Sequence, residues 1–554
     1  MMRRSLLSNF HAVWIDNLNG DKYRTGKIIP RGLPGAGTRD DSAFTTEMDP
    51  RGIQPGTAIV TWVKRTSPQT APGDTAVVYR DFWGPAASKR QGLLASLPAG
   101  SPPQGRRVPI YEVVQPSQEN RWRLGPSTVE GGFEAWPSLD ELFPVNFQAV
   151  NPSRGLEGTI IDTNRSLLVE RMKGYFGANT FEDVKERFPE FAVARANYKP
   201  ESVWKEMAAL GYESNRIESY LTFPFDMRWI YYSHHPHLLD RHSPDFARNR
   251  KSNEFLITVP EPRKTTETLP MFATTLVGLH VHERGSVIFP RESRGDDLLA
   301  DRDANLPEAT WRVLRDHFGL RGERRDDAAR ALAAKLFRIA FAILHAPSYQ
   351  AEHKSALSAD WAHLPIPKDV KLFDRLAAAG EQVTRLLDAA RDATDVIRAV
   401  VGADRARALG PLKRIDGKQV RPDDLKVTVT YWGGGKGRWK ARPFMADELP
   451  AIDYGEAWGE RTGDLFLNDD AYFGNIRELV WSYQLGGYPV LKKWLGYRQA
   501  DRRDGRPLTD DERQGFRQTI QRVAALLALG PALNELYEET AANAFTAEEL
   551  QVAR

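Results

Sequence analysis

Nine basic residues fall between Pro411 and Met445: Lys413, Arg414, Lys418, Arg421, Lys426, Lys436, Arg438, Lys440 and Arg442. Asp416, Asp423 and Asp424 are the acidic residues of that window, so its balance is 9 − 3 = +6, twice the +3 of the whole chain. Tyr431, Trp432 and Trp439 are interleaved with the cations. Lysine and arginine neutralise phosphates, arginine reads guanine edges, and aromatic rings stack on bases or wedge against them. The same composition also suits a solvated face beside a glycine hairpin. On the first reading, Tyr431, Lys436, Arg438, Trp439, Lys440 and Arg442 are candidate nucleic-acid contacts.

A second concentration is ELVWSYQLGGYPVLKKWLGYR, Glu478 to Arg498. Tyr483, Tyr488 and Trp494 read partly as core anchors, Gly486 and Gly487 as a bend, and Lys492 with Lys493 as a phosphate grip at a helix start. The competing reading is a helix packed inward by Trp481 and Trp494.

Other chemistries find less support. GLPGAG (Gly32 to Gly37) opens no helix, and GGGKG (Gly433 to Gly437) lacks the GK[ST] ending that holds magnesium, so both read as turns. His234, His235, His237 and His242 cluster in SHHPHLLDRH, with His280 and His282 in LHVH. A metal site needs three or four converging ligands, whereas Pro236 interrupts this cluster and no HExxH pattern occurs. PDDLK (Pro422 to Lys426) crowds its carboxylates too closely to bind metal across a sheet and reads as a turn before a strand. No GxSxG elbow marks a serine nucleophile. These readings assign no catalytic, cofactor-binding or metal-ligating residue.

The elements that must position these groups are mixed. The 554 residues suffice for two to four domains. FHAVWIDNL and GTAIVTWVKR read as buried strands and DTAVVYRDFW as a third strand, and Ser96 to Pro109 has the composition of a boundary. Asp326 to Ala346 reads as a buried helix. Asp369 to about Leu409 reads as one or two amphipathic helices, DLKVTVTYW as a strand, and Asp510 to Ala542 as helical. No repeat of 20 to 50 residues is present. The chain has no cysteine, which rules out disulfides and thiolate chemistry and suits a reducing cytoplasm. It has no apolar run of membrane-spanning length.

Several stretches together resemble one family. FPFDMRWIYY (Phe223 to Tyr232) resembles the RPFDxRxxYY signature in the target-recognition part of type ISP restriction–modification enzymes and related adenine-N6 DNA methyltransferases. AILHAPSYQAEHKSALSADWAHLPIP resembles their "lhsPxYrexyxexLxxdfPxiPlP" segment, and YFGNIRELVWSYQLGGYPVLKKWLGYR their "vwnyxiGGyxvlxkWLxxR". The first hundred residues resemble the last strands of that family's methyltransferase domain. Phe223 stands where the family usually has arginine. The family's (N/D)PP(Y/F) motif, which clamps the target amine and stacks on the flipped adenine, has no counterpart here; NPSR at Asn151 is the nearest.

The resemblance implies a fold of mixed α/β class: a partial methyltransferase sheet edge over 1–98, then an α+β target-recognition region over 99–554 with C-terminal helices, subdivided near 410. It implies sequence-specific recognition of double-stranded DNA, with Arg228 added to the contacts. The system implied is a cytoplasmic restriction–modification or phage-defence one. Without the catalytic motifs, the chain is expected to bind no S-adenosylmethionine alone. A methyltransferase catalytic chain, or a missing N-terminal part, is expected to supply that cofactor. The alternative is one half of a split, active adenine methyltransferase.

Overall fold

The computed structural model describes residues 2–552, apart from 23–24, 30–32, 66–74, 97–109, 117–121, 127–131, 153–157, 195–197, 234, 236–237, 260–268, 283–284, 295–302, 321–324, 358–359, 432–436, 446–447, 449–454 and 501–505. The chain divides into two compact units, Met1–Trp136 and Pro137–Ala553. It is mixed α/β, as expected.

In the first unit, the alternation of AVWIDNLN makes Ala12–Asn19 a strand with one well-covered face. It pairs antiparallel with Thr57–Val63 and parallel with Ala76–Asp81, which pairs antiparallel with Glu112–Val114. These are the three expected strands and a fourth, but Thr57–Val63, expected to be buried, is largely exposed because it is an edge strand. Val13, Ile15, Val77 and Val114 pack with Leu7 on one face. The register aligns Trp14 with Val78 and Val78 with Val113, which puts them on the opposite face. Trp14 is 37% exposed there and Val113 70%. Ile59, aligned with Asp16, lies on the same face and is also exposed.

Helix Ala86–Ala95 carries Lys89, sealed from solvent with its Nζ 2.6 Å from Asp40. Asp40 also accepts the backbone N–H of Gly20 at 2.6 Å and of Gly84 at 2.9 Å. A buried ion pair is tolerable when its remaining lone pairs are met in this way.

In the second unit, Met271–Ala273, Phe255–Thr258, Val287–Pro290 and Phe147–Gln148 form one four-stranded sheet in that order. Leu276–Val277, Ile217–Phe223, Asp226–Tyr231 and Ile161–Asp162 form another. Three helices make the main helical core: Arg325–Leu344, Val370–Leu387 and Asp510–Ala542. The first two approach so closely that a Cβ on Gly380 would sit 1.9 Å from the Arg338 carbonyl oxygen. Glycine is the residue that permits this crossing.

The C-terminal helix starts with a capping box between Thr509 and Glu512 and runs 33 residues, about 50 Å at 1.5 Å per residue. Its Phe516 packs against Trp494 and Phe473, and its Tyr537 hydroxyl lies 2.8 Å from His353 Nε2. Arg522, fully buried, donates to the carbonyls of Arg385 (3.2 Å), Leu386 (2.8 Å), Asp388 (3.0 Å) and Arg391. It thereby finishes the C-terminus of helix Val370–Leu387, whose last carbonyls have no partner of their own.

Two expectations are corrected. Residues 369–409 form three helices, Val370–Leu387, Thr394–Val401 and Ala403–Ala408, because Asp388 turns the chain away and Gly402, at φ +85°, breaks it again. DLKVTVTYW is not a strand over its described residues. Leu467 O accepts from the N–H groups of Thr428 and Val429, and the Gln499 side chain accepts that of Tyr431, so no ladder forms.

Candidate nucleic-acid interface

The basic window is built onto a four-stranded antiparallel sheet ordered Leu412–Arg414, Ala471–Arg477, Thr462–Phe466, Trp439–Arg442. Arg414 is opposite Ala471, Phe466 opposite Tyr472, and Trp439 opposite Leu465. One end of the sheet therefore gathers three connections: the loop 415–426, the turn 467–470 and the approach to Trp439. Backbone bonds knit them, from Ile415 N–H to Asp470 O and from Phe466 N–H to Arg438 O. Asn468 Nδ2 donates to the carbonyls of Asp424 (2.7 Å) and Lys426 (2.8 Å).

At this end Lys418 and Arg421 are 80% and 70% exposed, and Lys426 and Lys440 are also accessible. Arg438 and Lys440 both lie over the Phe466 ring, at 4.6 and 5.1 Å from its centroid, a cation–π arrangement that orients both without discharging them. Arg438 also meets Asp469 at 2.5 Å. Arg442, by contrast, is clasped by Glu448 at 2.6 Å and Asp464 at 2.7 Å and is largely covered. The +6 of the linear window is thus reduced in space by carboxylates arriving from Glu448, Asp464 and Asp469.

The other expected contacts divide into surface and support. Trp439 is half-buried, its indole N–H donating to Ile476 O at 3.1 Å. Tyr431 is buried; its hydroxyl donates to Phe466 O at 2.5 Å, and burial pushes its pKa up. The Tyr431 ring also blocks any side chain at Gly437, where a Cβ would come within 2.5 Å. Lys436 and Trp432 lie outside the described residues. Lys492 and Lys493 sit on the short helix Val490–Gly496, both half-buried. The Lys493 ammonium lies over Phe223, Tyr488 and Tyr497 at 4.8, 4.6 and 5.0 Å. Phe223 itself stacks on Tyr497 at 4.5 Å, so this position contributes an aromatic floor to Lys493 rather than a polar contact. Gly486 and Gly487, at φ +59° and +81°, form the two-residue turn between Gln484–Leu485 and Tyr488–Pro489, the expected bend.

Arg228 is corrected from contact to support. Its side chain is fully buried, paired with Asp226 at 2.8 Å. Asp226 meets Arg498 at 2.8 Å on its other oxygen, across 272 positions of sequence. Arg498 continues to Glu512 at 3.3 Å and stacks on Trp494 at 3.6 Å. Burial alone would raise the Asp226 carboxyl, but Arg228 and Arg498 more than offset it and hold it at about 2. Two motifs far apart in sequence thus meet in one buried ion chain beneath the lysine helix. Sequence reasoning missed this role of Asp226, Arg498 and Glu512; the recurrence of charged residues inside aromatic stretches was the available signal.

Of the histidines, His235 meets Glu206 at 2.8 Å, and His282 is buried with Nε2 3.0 Å from Ile257 O. His234 and His237 lie outside the described residues. Among the described residues, no group of three or more His, Asp or Glu side chains converges as metal ligands would, and no helix is long and apolar enough to cross a membrane.

Residues 141–524 match the family described as the Type ISP C-terminal specificity domain. Among solved structures, the chain is similar to one described as a cryoEM structure of a DrdV–DNA complex, with TM-score 0.52 and 15% identity over 96% of this chain and 48% of that one. It is also similar to one described as the ATP-dependent Type ISP restriction–modification enzyme LlaBIII bound to DNA, with TM-score 0.50 and 14% identity over 97% of this chain and 31% of that one. The chain therefore spans about half the length of the first and under a third of the second. At these identities the likeness is one of fold. No curated protein sequence matches.

Proposed function

This chain belongs to the Type ISP C-terminal specificity domain family, and from that premise we propose that it recognises double-stranded DNA for a restriction–modification system of the type ISP kind. The observation that carries the proposal is the convergence of Lys418, Arg421, Lys426, Arg438 and Lys440 on one end of the C-terminal sheet. Those cations, with Lys492 and Lys493 on their own helix, supply the phosphate neutralisation that anchors a protein on a duplex.

The chemistry served is adenine-N6 methylation. Transfer to adenine needs a cradle for the methyl donor, a clamp on the amine and a stacking platform for the extruded base. In this proposal those parts, and S-adenosylmethionine with them, belong to a methyltransferase catalytic region on a partner chain or on upstream sequence, in a cytoplasmic setting. The chain alone then binds DNA without methylating it.

Electrophoretic shift with random duplexes at two salt concentrations tests the binding. A complex that weakens steeply with salt is expected; no shift at either salt rejects the reading.

A second reading, one half of an active methyltransferase assembled from two polypeptides, is favoured by the exposed apolar face of the N-terminal sheet at Trp14, Ile59 and Val113. Such a face calls for a cover. Mixing the chain with a catalytic partner and S-adenosylmethionine and measuring methyl transfer to duplex DNA separates the two readings.

A further inference from the structure

The loop between Arg414 and Pro422 differs in kind from the rest of the cationic sheet end. Both ends of the loop are tied down. The Arg414 guanidinium bridges Asp416, at 2.9 Å, and Asp424. Asp416 in turn accepts the Lys418 backbone N–H at 3.1 Å, and Asp424 that of Arg421 at 2.7 Å. Gly417, at φ +70°, makes the turn with its N–H on Arg414 O. Between these anchors the side chains are open to solvent: Lys418 and Arg421 are 80% and 70% exposed, each with a loose ion pair at 3.6 Å to Asp416 and Asp424, Gln419 is exposed, and Ile415 is 59% exposed.

The loop thus combines a fixed backbone with an arginine, a glutamine and an exposed aliphatic side chain. Those are the groups that pair with guanine, pair with adenine and touch a thymine methyl in the major groove. Arg442 cannot do the same as it stands, since Glu448 and Asp464 clasp its fork, and Arg438 has one nitrogen on Asp469 and its guanidinium over Phe466.

Resting on the DNA-recognition reading, we infer that the loop of residues 415–421 is the base-reading element of this chain, with Arg421 and Gln419 as the specificity-determining side chains. Lys440, Lys426 and Lys492 then hold the phosphates. A backbone fixed before binding suits this division, because ordering costs are met in folding rather than on the duplex.

The test uses the full chain and a pool of randomised duplexes, sequencing the bound fraction for wild type, R421A, R421K and Q419A. At about 50 mM salt R421K and Q419A are expected to bind bulk duplex within about threefold of wild type, and R421A more weakly because it removes one cation. Wild type enriches a defined motif. R421A and R421K should lose preference about tenfold or more at one shared position, and Q419A at another. The lysine variant separates bidentate reading from charge, since it keeps the charge and loses the fork. If the variants enrich the wild-type motif undiminished, the loop assignment is overturned while DNA recognition stands. If wild type binds no duplex at all, the DNA reading falls and the loop assignment falls with it.

Discussion

The residue scale is governed by which charges are covered. Arg442 and Lys440 are two positions apart, yet one is clasped by Glu448 and Asp464 and the other lies over a ring at the surface. K440A is therefore expected to leave stability unchanged and to lower the salt slope of DNA binding by about one, while R442A lowers thermal stability by stranding Glu448. Titrations at several salt concentrations beside thermal melts check both. Arg498→Ala should be costlier, about 3–5 kcal/mol by urea denaturation, because it uncovers a buried carboxylate at Asp226 that Arg228 alone then holds. Two buried histidines set an acid limit. Burial pushes His282 and His345 down to about 4, so below the ordinary 6.5 the unfolded chain binds protons that the folded chain refuses. Stability is full above pH 6.5 and falls toward pH 4 by about 1.4 kcal/mol per pH unit per histidine. Urea midpoints across that range should decline, and less steeply in His345→Gln.

Elements show where local sequence suffices. Asp510–Ala542 was legible because its start is a Thr509–Glu512 capping box and its apolar residues recur at helical spacing. The strands Ala12–Asn19, Thr57–Val63 and Ala76–Asp81 were legible from alternation and β-branched content. DLKVTVTYW has the same alternation and forms no strand, since its partners are a turn carbonyl at Leu467 and a side chain at Gln499. A sequence pattern states what a segment can do and not what lies beside it. The candidate site follows the same rule: its cations were plain in the window, whereas Asp464 and Asp469, which hold two of them, lie beyond it in sequence. The helix crossing at Gly380 gives the element-scale prediction. Gly380→Ala drives a methyl into the Arg338 carbonyl and should cost about 1–3 kcal/mol or more, read as a lower urea midpoint at unchanged m.

At the scale of the molecule, the second unit is joined by contacts between residues distant in the chain. The pairing of Asp226 with Arg498 sets the Ile217–Tyr231 hairpin region against the lysine helix, and the long C-terminal helix ties that region to the helical core through Phe516, Arg522 and Tyr537. Arg522 carries a consequence for biosynthesis. The carbonyls it collects leave the ribosome 131 to 137 residues ahead of it. At about 5–20 residues per second that interval lasts on the order of ten seconds. Throughout it, helix Val370–Leu387 has an unfinished end, so this unit cannot complete itself stepwise from its N-terminus. Its nascent form must wait for Arg522 before that helix end is closed.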